Sequence, residues 1–138
     1  MSRVQLALNV DDLDAAVEFY SKLFDTKPAK VREGYANFAI DDPPLKLVLV
    51  EGYGAGGSIN HLGVEVPGTE DVASAVQRLD EQGMEPQEER GTVCCYAEQD
   101  KVWVRDPNGA PWEIYTVLAD ADVLYQRAVA NEAQVEGP

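Results

Sequence analysis

Gln5-Leu6-Ala7-Leu8-Asn9-Val10 and His61-Leu62-Gly63-Val64-Glu65-Val66 are one strand pattern written twice, 56 residues apart. In each copy apolar residues take every second place, Leu6, Leu8 and Val10 in the first and Leu62, Val64 and Val66 in the second. That is the period of a half-buried strand. The places between them carry Gln5, Ala7 and Asn9, matched by His61, Gly63 and Glu65. Such self-similarity indicates one supersecondary unit used twice.

The segment after each strand repeats as well. After the first, Asp11 and Asp12 suit a helix N-terminus, and Leu13, Ala16, Val17, Tyr20, Leu23 and Phe24 form the stripe of a helix packed on a sheet. After the second, a helix is expected from Thr69, with Glu70 and Asp71 in its first turn, Val72, Ala75, Val76 and Leu79 as its stripe and an end near Gly83. Apolar runs at 35–40 and 45–50 and a briefer one at 29–31 complete the first module, separated by Gly34 and the Asp42-Pro43-Pro44 turn. Runs at 85–89, 93–104 and 112–117 complete the second, the middle one reading as two strands that share a turn near Gln99-Asp100. The fold class is α+β, built from two βαβββ modules at about 3–51 and 60–118 in a single domain, 1–120. The spacing of Ala121, Leu124, Tyr125 and Ala128 predicts a short C-terminal helix within 121–138, followed by a frayed tail. The Gly-rich stretch 52–57 opens a strand and has no following Lys-Ser or Lys-Thr, so it reads as a structural loop rather than a phosphate cradle.

Charge narrows the partners. With 11 basic and 25 acidic residues in 138, the net charge of −14 gives long-range repulsion from a nucleic-acid backbone or an anionic bilayer. No run approaches the length of a membrane span, and the N-terminus lacks the basic and apolar regions of a secretory leader, so a cytoplasmic protein is expected.

Cys94 and Cys95 are neighbours. Adjacent α-carbons lie about 3.8 Å apart, closer than the roughly 4.4–6.8 Å of an ordinary disulfide, so a bridge between them would be strained. In a reducing compartment they are two free thiols, available as soft ligands. On a regular strand they would point to opposite faces and be no more than two small buried residues. Acting on one thiophilic atom requires a loop or bulge within 92–97, which Gly91 and the polar run Glu88-Glu89-Arg90 permit.

His61 is the only histidine, which excludes multi-histidine zinc sites. Alone, a strand histidine is more often a hydrogen-bonded structural residue, Gln5 is a weak neutral ligand, and Glu113 suits a solvated edge. Buried within Trp112-Glu113-Ile114-Tyr115-Thr116-Val117, however, the Glu113 carboxylate would need a cation or hydrogen bonds. The repeat also puts Gln5 and His61 at equivalent places in their strands.

The paired modules, together with Asp106-Pro107-Asn108-Gly109-Ala110-Pro111-Trp112-Glu113, resemble the vicinal oxygen chelate superfamily, the glyoxalase and bleomycin-resistance group, over about residues 3–118. The resemblance implies a curled mixed sheet around a divalent metal whose ligands come from the first strand of each module and from the last strand, here Gln5, His61 and Glu113. A fourth position usual in that family, on the strand at 45–50, holds neither acid nor histidine. Three ligands on one side of an octahedral ion leave positions for water, dioxygen or substrate. Cys94-Cys95-Tyr96 followed by Gln99-Asp100-Lys101-Val102-Trp103-Val104 narrows the likeness to the carbon-arsenic lyases and the similar cadmium-induced proteins. That likeness implies removal of the organic group from trivalent organoarsenicals, such as methylarsonous acid or trivalent aromatic arsenicals, to leave arsenite. Cys94 and Cys95 would bind the substrate's arsenic, and Gln5, His61 and Glu113 would hold ferrous iron for use with dioxygen. Nickel, cobalt or zinc also suit the ligand set in vitro. By the same analogy a homodimer is expected.

Two alternatives remain at this level. The thiols suit a cadmium- or arsenic-binding protein without turnover. A glyoxalase or fosfomycin-resistance type metalloenzyme would share the fold, but an anionic phosphonate favours a basic pocket, towards which the chain offers little beyond Lys101 and Arg105.

Overall fold

In the computed structural model, which describes residues 2–126, both βαβββ modules form in the expected order, and the chain divides into two compact units at Leu62/Gly63. The N-terminal unit holds β1 (Arg3–Val10), α1 (Leu13–Leu23), β2 (Lys30–Arg32), β3 (Tyr35–Ile40), β4 (Leu45–Glu51) and the start of β5 (Ile59–Glu65). Here β1 runs parallel to β4, with Leu6 opposite Leu47 and Leu8 opposite Leu49, whereas β3 is antiparallel to both β4 and β2. The Asp12 carboxylate caps α1 by accepting from the Ala15 N–H at 3.1 Å. Glu51, at the end of β4, accepts from the Leu13 N–H at 2.8 Å and ties the start of the helix to the sheet. Leu13, Ala36, Phe38, Ile40, Leu47 and Leu49 form the core, joined by Leu6, Leu8 and Val10 from β1 and by the stripe of α1.

The opposite face of β1 is the more deeply buried one. Gln5, Ala7 and Asn9 are 2%, 0% and 5% exposed. A strand whose polar face is withdrawn from water must satisfy those groups within the protein.

The Gly-rich stretch belongs with β1, as its structural reading anticipates. The Gly57 N–H donates to Asn9 O at 2.9 Å, the Asn9 N–H to Ser58 O at 2.9 Å, and the Gly56 N–H to the Asp11 carboxylate at 3.0 Å. A Cβ on Gly54 would lie 2.6 Å from Asn9 Nδ2, so a side chain there would have to displace the Asn9 amide. The unit boundary therefore falls inside β5 instead of at the glycines.

The C-terminal unit contains the end of β5, then α2 (Thr69–Glu81), β6 (Gln87–Cys94), β7 (Ala97–Arg105), β8 (Pro111–Asp120) and β9 (Tyr125–Gln126). Asp71 in the first turn of α2 accepts from the Gly68 N–H at 3.1 Å. At the other end Gly83, with φ +75°, lets the Met84 N–H return to Leu79 O at 3.0 Å. Strands β8, β7, β6 and β9 follow one another as antiparallel neighbours. Val72, Ala75 and Leu79 of α2 pack on Val102, with Val66, Val76, Val104 and Ile114 around them. No helix among the described residues is long and apolar enough to cross a membrane.

Two expectations are corrected. The turn placed near Gln99-Asp100 lies at Cys95-Tyr96, because β6 runs on to Cys94 and pairs Cys94 with Ala97. The C-terminal helix expected at 121–128 is not formed over 121–126. Those residues follow the β6 edge, with Tyr125 opposite Cys94 and Gln126 opposite Val93. Residues 127–138 lie outside the described part.

Candidate functional site

In the N-terminal unit, Gln5 on β1 and His61 on β5 meet at 3.1 Å between the Gln5 amide nitrogen and His61 Nε2, with both residues buried. The other ring nitrogen, Nδ1, lies 2.8 Å from Asn60 Oδ1. A carbonyl oxygen only accepts, so Nδ1 carries the proton and Nε2 offers its lone pair to the Gln5 amide. Asn60 is held in turn: its Nδ2 donates to Asn9 Oδ1 at 3.0 Å, and Asn9 Nδ2 donates to Ser58 Oγ at 3.0 Å. The imidazole is thus held in one tautomer, with Nε2 turned towards Gln5. Sequence reasoning misses Asn60, whose only signal is a polar side chain beside the single histidine.

In the C-terminal unit the Asp106-Pro107-Asn108-Gly109-Ala110 turn sets the register of β7 and β8. Asp106 Oδ1 accepts from the Asn108 and Ala110 N–H groups at 2.8 and 2.9 Å. Trp103 then stands opposite Glu113, and Lys101 opposite Tyr115. The diagonal pair closes: Lys101 Nζ lies 2.6 Å from Glu113 Oε1, with 1% and 2% of the two side chains exposed. The same ammonium lies 5.2 Å from the Trp103 ring centroid and 5.9 Å from that of Tyr115. Burial pulls Lys101 towards deprotonation, but the charges of Cys94, Glu113 and Cys95 override it and hold its pKa above the ordinary lysine value. Burial, then Glu113 and Glu65, push the Tyr115 phenol up, keeping it a neutral donor to Glu65 at 3.3 Å.

The thiols occupy the turn between β6 and β7. Cys95 and Tyr96 have φ +59° and +60°, the left-handed pair of a tight hairpin turn usually filled by Asn-Gly. The conformation costs a non-glycine residue about 1–2 kcal/mol. It also turns the two sulfurs together, at 3.2 Å. This is the departure from a regular strand that joint action of the cysteines requires. Both are buried free thiols. The hydrogen bond of the Cys95 thiol with Cys94, burial and the Cys94 charge push the Cys95 pKa well up, against the opposing pull of Lys101. The outer edge of the turn is held by backbone: the Cys95 N–H donates to Leu124 O at 2.6 Å and the Ala121 N–H to Tyr96 O at 2.9 Å. From β7, Gln99 Nε2 donates to Cys94 O at 3.0 Å.

Among the described residues no three His, Cys, Asp or Glu side chains gather at ion-binding spacing. In the N-terminal unit His61 lies beside the Gln5 amide; in the C-terminal unit the buried Glu113 carboxylate is paired with Lys101. Within the N-terminal unit, an imidazole and an amide are donors of intermediate hardness of the kind that divalent first-row ions accept.

Several known proteins resemble this chain. The profile of the glyoxalase/bleomycin resistance protein/dioxygenase superfamily matches residues 3–114. The cadmium-induced protein CadI of Mycobacterium tuberculosis (strain ATCC 25618 / H37Rv) is 62% identical over 124 residues, covering 90% of this chain and 82% of that protein. The trivalent organoarsenical cleaving enzyme of Thermomonospora curvata is 62% identical over 125 residues, 90% of this chain and 83% of that one. Among solved structures, an extradiol ring-cleaving dioxygenase from B. fuscum superposes with a TM-score of 0.64 at 21% identity, covering 87% of this chain and 34% of that chain. At that identity the likeness concerns the fold alone.

Proposed function

Because the chain belongs to the glyoxalase/bleomycin resistance protein/dioxygenase superfamily, we propose that it is an enzyme that cleaves the carbon–arsenic bond of trivalent organoarsenicals, with ferrous iron and dioxygen, to give arsenite. The observation that carries this reading is the contact of Cys94 Sγ and Cys95 Sγ at 3.2 Å in a turn whose backbone is bent to make it. Two sulfurs at that separation can both bond one atom at about 2.3 Å each, with an angle near a right angle between the bonds. Such an angle suits a pyramidal trivalent centre. The 62% identity to a trivalent organoarsenical cleaving enzyme supports the substrate class.

The residues divide the work. Cys94 and Cys95 exchange their protons for arsenic, fixing the substrate while leaving its carbon–arsenic bond intact and oriented. Gln5, His61 and Glu113 would hold the metal, with the Asn60 hydrogen bond fixing the imidazole tautomer. When bound, iron supplies the activation of dioxygen. Lys101 keeps positive charge beside Glu113 and the thiols, favouring the anionic forms that both arsenic and metal bind.

A reading without turnover, in which the thiols sequester a soft ion, is kept in view by the equal 62% identity to a cadmium-induced protein. Reconstitution with ferrous iron under argon, followed by oxygen in the presence of methylarsonous acid, separates the two. The enzyme releases arsenite only after oxygen is admitted, and arsenite release that ignores oxygen contradicts the proposed chemistry.

A further inference from the structure

Gln99 is 2% exposed, and its Oε1 has no hydrogen-bond partner among the described residues. Buried acceptors are nearly always satisfied, so an orphan one calls for a reason. Exchanging the two amide atoms does not remove it. Cys94 O, 3.0 Å away, can only accept, so the atom facing it must be the NH₂ nitrogen and the unsatisfied atom is the oxygen. The ladder between β7 and β8 shifts register between Glu98 and Gln99, the kind of irregularity that re-aims a side chain. One amide therefore grips the peptide of the first thiol residue and carries a spare acceptor beside the thiol turn.

We infer that Gln99 Oε1 receives the hydroxyl carried in on arsenic while the two thiols replace it, a role that rests on the reading of Cys94 and Cys95 as the arsenic-binding pair. A trivalent organoarsenical arrives as R–As(OH)₂. In the first exchange one S–As bond forms and one As–O bond breaks, and the thiol proton leaves with the hydroxyl as water. The one-thiol adduct retains a hydroxyl, an O–H donor with no thiol yet committed to it. Gln99 Oε1 accepts from that O–H and holds the As–O bond for the second thiol. The second S–As bond then forms, the remaining As–O bond breaks, and the second thiol proton departs on a second water. Oxidation states are unchanged throughout. The acceptor selects for arsenic that still bears hydroxyl and speeds closure of the dithiolate.

The test tracks loss of the second thiol by rapid quench and intact-mass analysis of the full-length chain, using two probes. One is methylarsonous acid. The other is the same methylarsenic group delivered as its adduct with a small dithiol, which carries no hydroxyl. Gln99→Met is expected to slow second-thiol closure about tenfold with the hydroxide probe, the effect of one buried hydrogen bond, while leaving the dithiol-delivered probe within twofold of wild type. Gln99→Glu, whose neutral acid can both donate to Cys94 O and accept, restores the wild-type ratio. If Gln99→Met does not fold, Gln99→Asn, one methylene too short to do both, reads the same ratio. Equal slowing of both probes shows a merely structural brace and overturns the role, as does no slowing of either. A wild-type chain that keeps one thiol unreacted overturns the thiol-capture reading itself, a different result from the other two.

Discussion

Lys101 and Glu113 are joined at 2.6 Å with 1% and 2% of their side chains exposed, so the carboxylate proposed as a metal ligand already has a cation upon it. A buried pair of this kind adds little net stability, but removing one partner strands the other.

Lys101→Met is therefore expected to cost about 3–5 kcal/mol, measured by urea unfolding without metal. If Glu113 is a ligand, saturating divalent ion replaces the missing charge and restores more stability in the variant than it adds to wild type. Equal stabilisation of both proteins would remove Glu113 from the ligand set.

Asn60 acts through His61 in the N-terminal unit. Asn60→Leu removes the acceptor for His61 Nδ1, releasing the tautomer that points Nε2 at Gln5. Divalent-ion affinity, read by competition with a chelator, should fall about 10–100-fold. Thiol reactivity should not change.

The raised pKa of Cys95 has a stability consequence of definite sign. In the unfolded chain the thiol loses its proton near its ordinary value of 9.0, whereas the hydrogen bond with Cys94 and burial keep the folded thiol protonated. Above that pH the folded state binds more protons than the unfolded one, so stability is level below it and then falls, by about 1.4 kcal/mol per pH unit for one proton. Urea unfolding from pH 8 to 10 should show a steeper decline in wild type than in Cys95→Ala. Parallel profiles would mean that the pair exerts no such linkage.

Much of this arrangement is legible in the sequence. The 56-residue repeat and the helix stripes depend on local periodicity, and β3, at Tyr35–Ile40, has the limits that the apolar run predicts. Composition misplaces the hairpin turn because Gln99-Asp100 is turn-like, while Cys95-Tyr96 adopts a left-handed conformation for which its side chains give no warning. The spacing of Ala121, Leu124, Tyr125 and Ala128 fits a helix or an irregular edge equally well, and hydrogen bonds to the Cys95 and Tyr96 backbone favour the edge over 121–126. The Lys101–Glu113 pair depends on cross-strand register, which no short stretch encodes. The unsatisfied oxygen of Gln99 can be found only once every neighbouring donor has a position.

On the proposed reading, both thiols bind one arsenic atom. Cys94→Ser and Cys95→Ser should each weaken retention of a trivalent phenyl arsenical by about 10²–10⁴-fold, the advantage of a second tethered contact, as measured by equilibrium dialysis. A single-cysteine variant that retains the arsenical as tightly as wild type would reduce the pair to packing.

The most direct measurement is the amount of arsenite formed per chain from excess methylarsonous acid, with ferrous iron and air, in wild type and in His61→Ala. The account predicts many equivalents from wild type and none from His61→Ala, although the variant still takes up one arsenical on its two thiols. Arsenite that stops at or below one equivalent in wild type, or continues unabated without the imidazole, would contradict it.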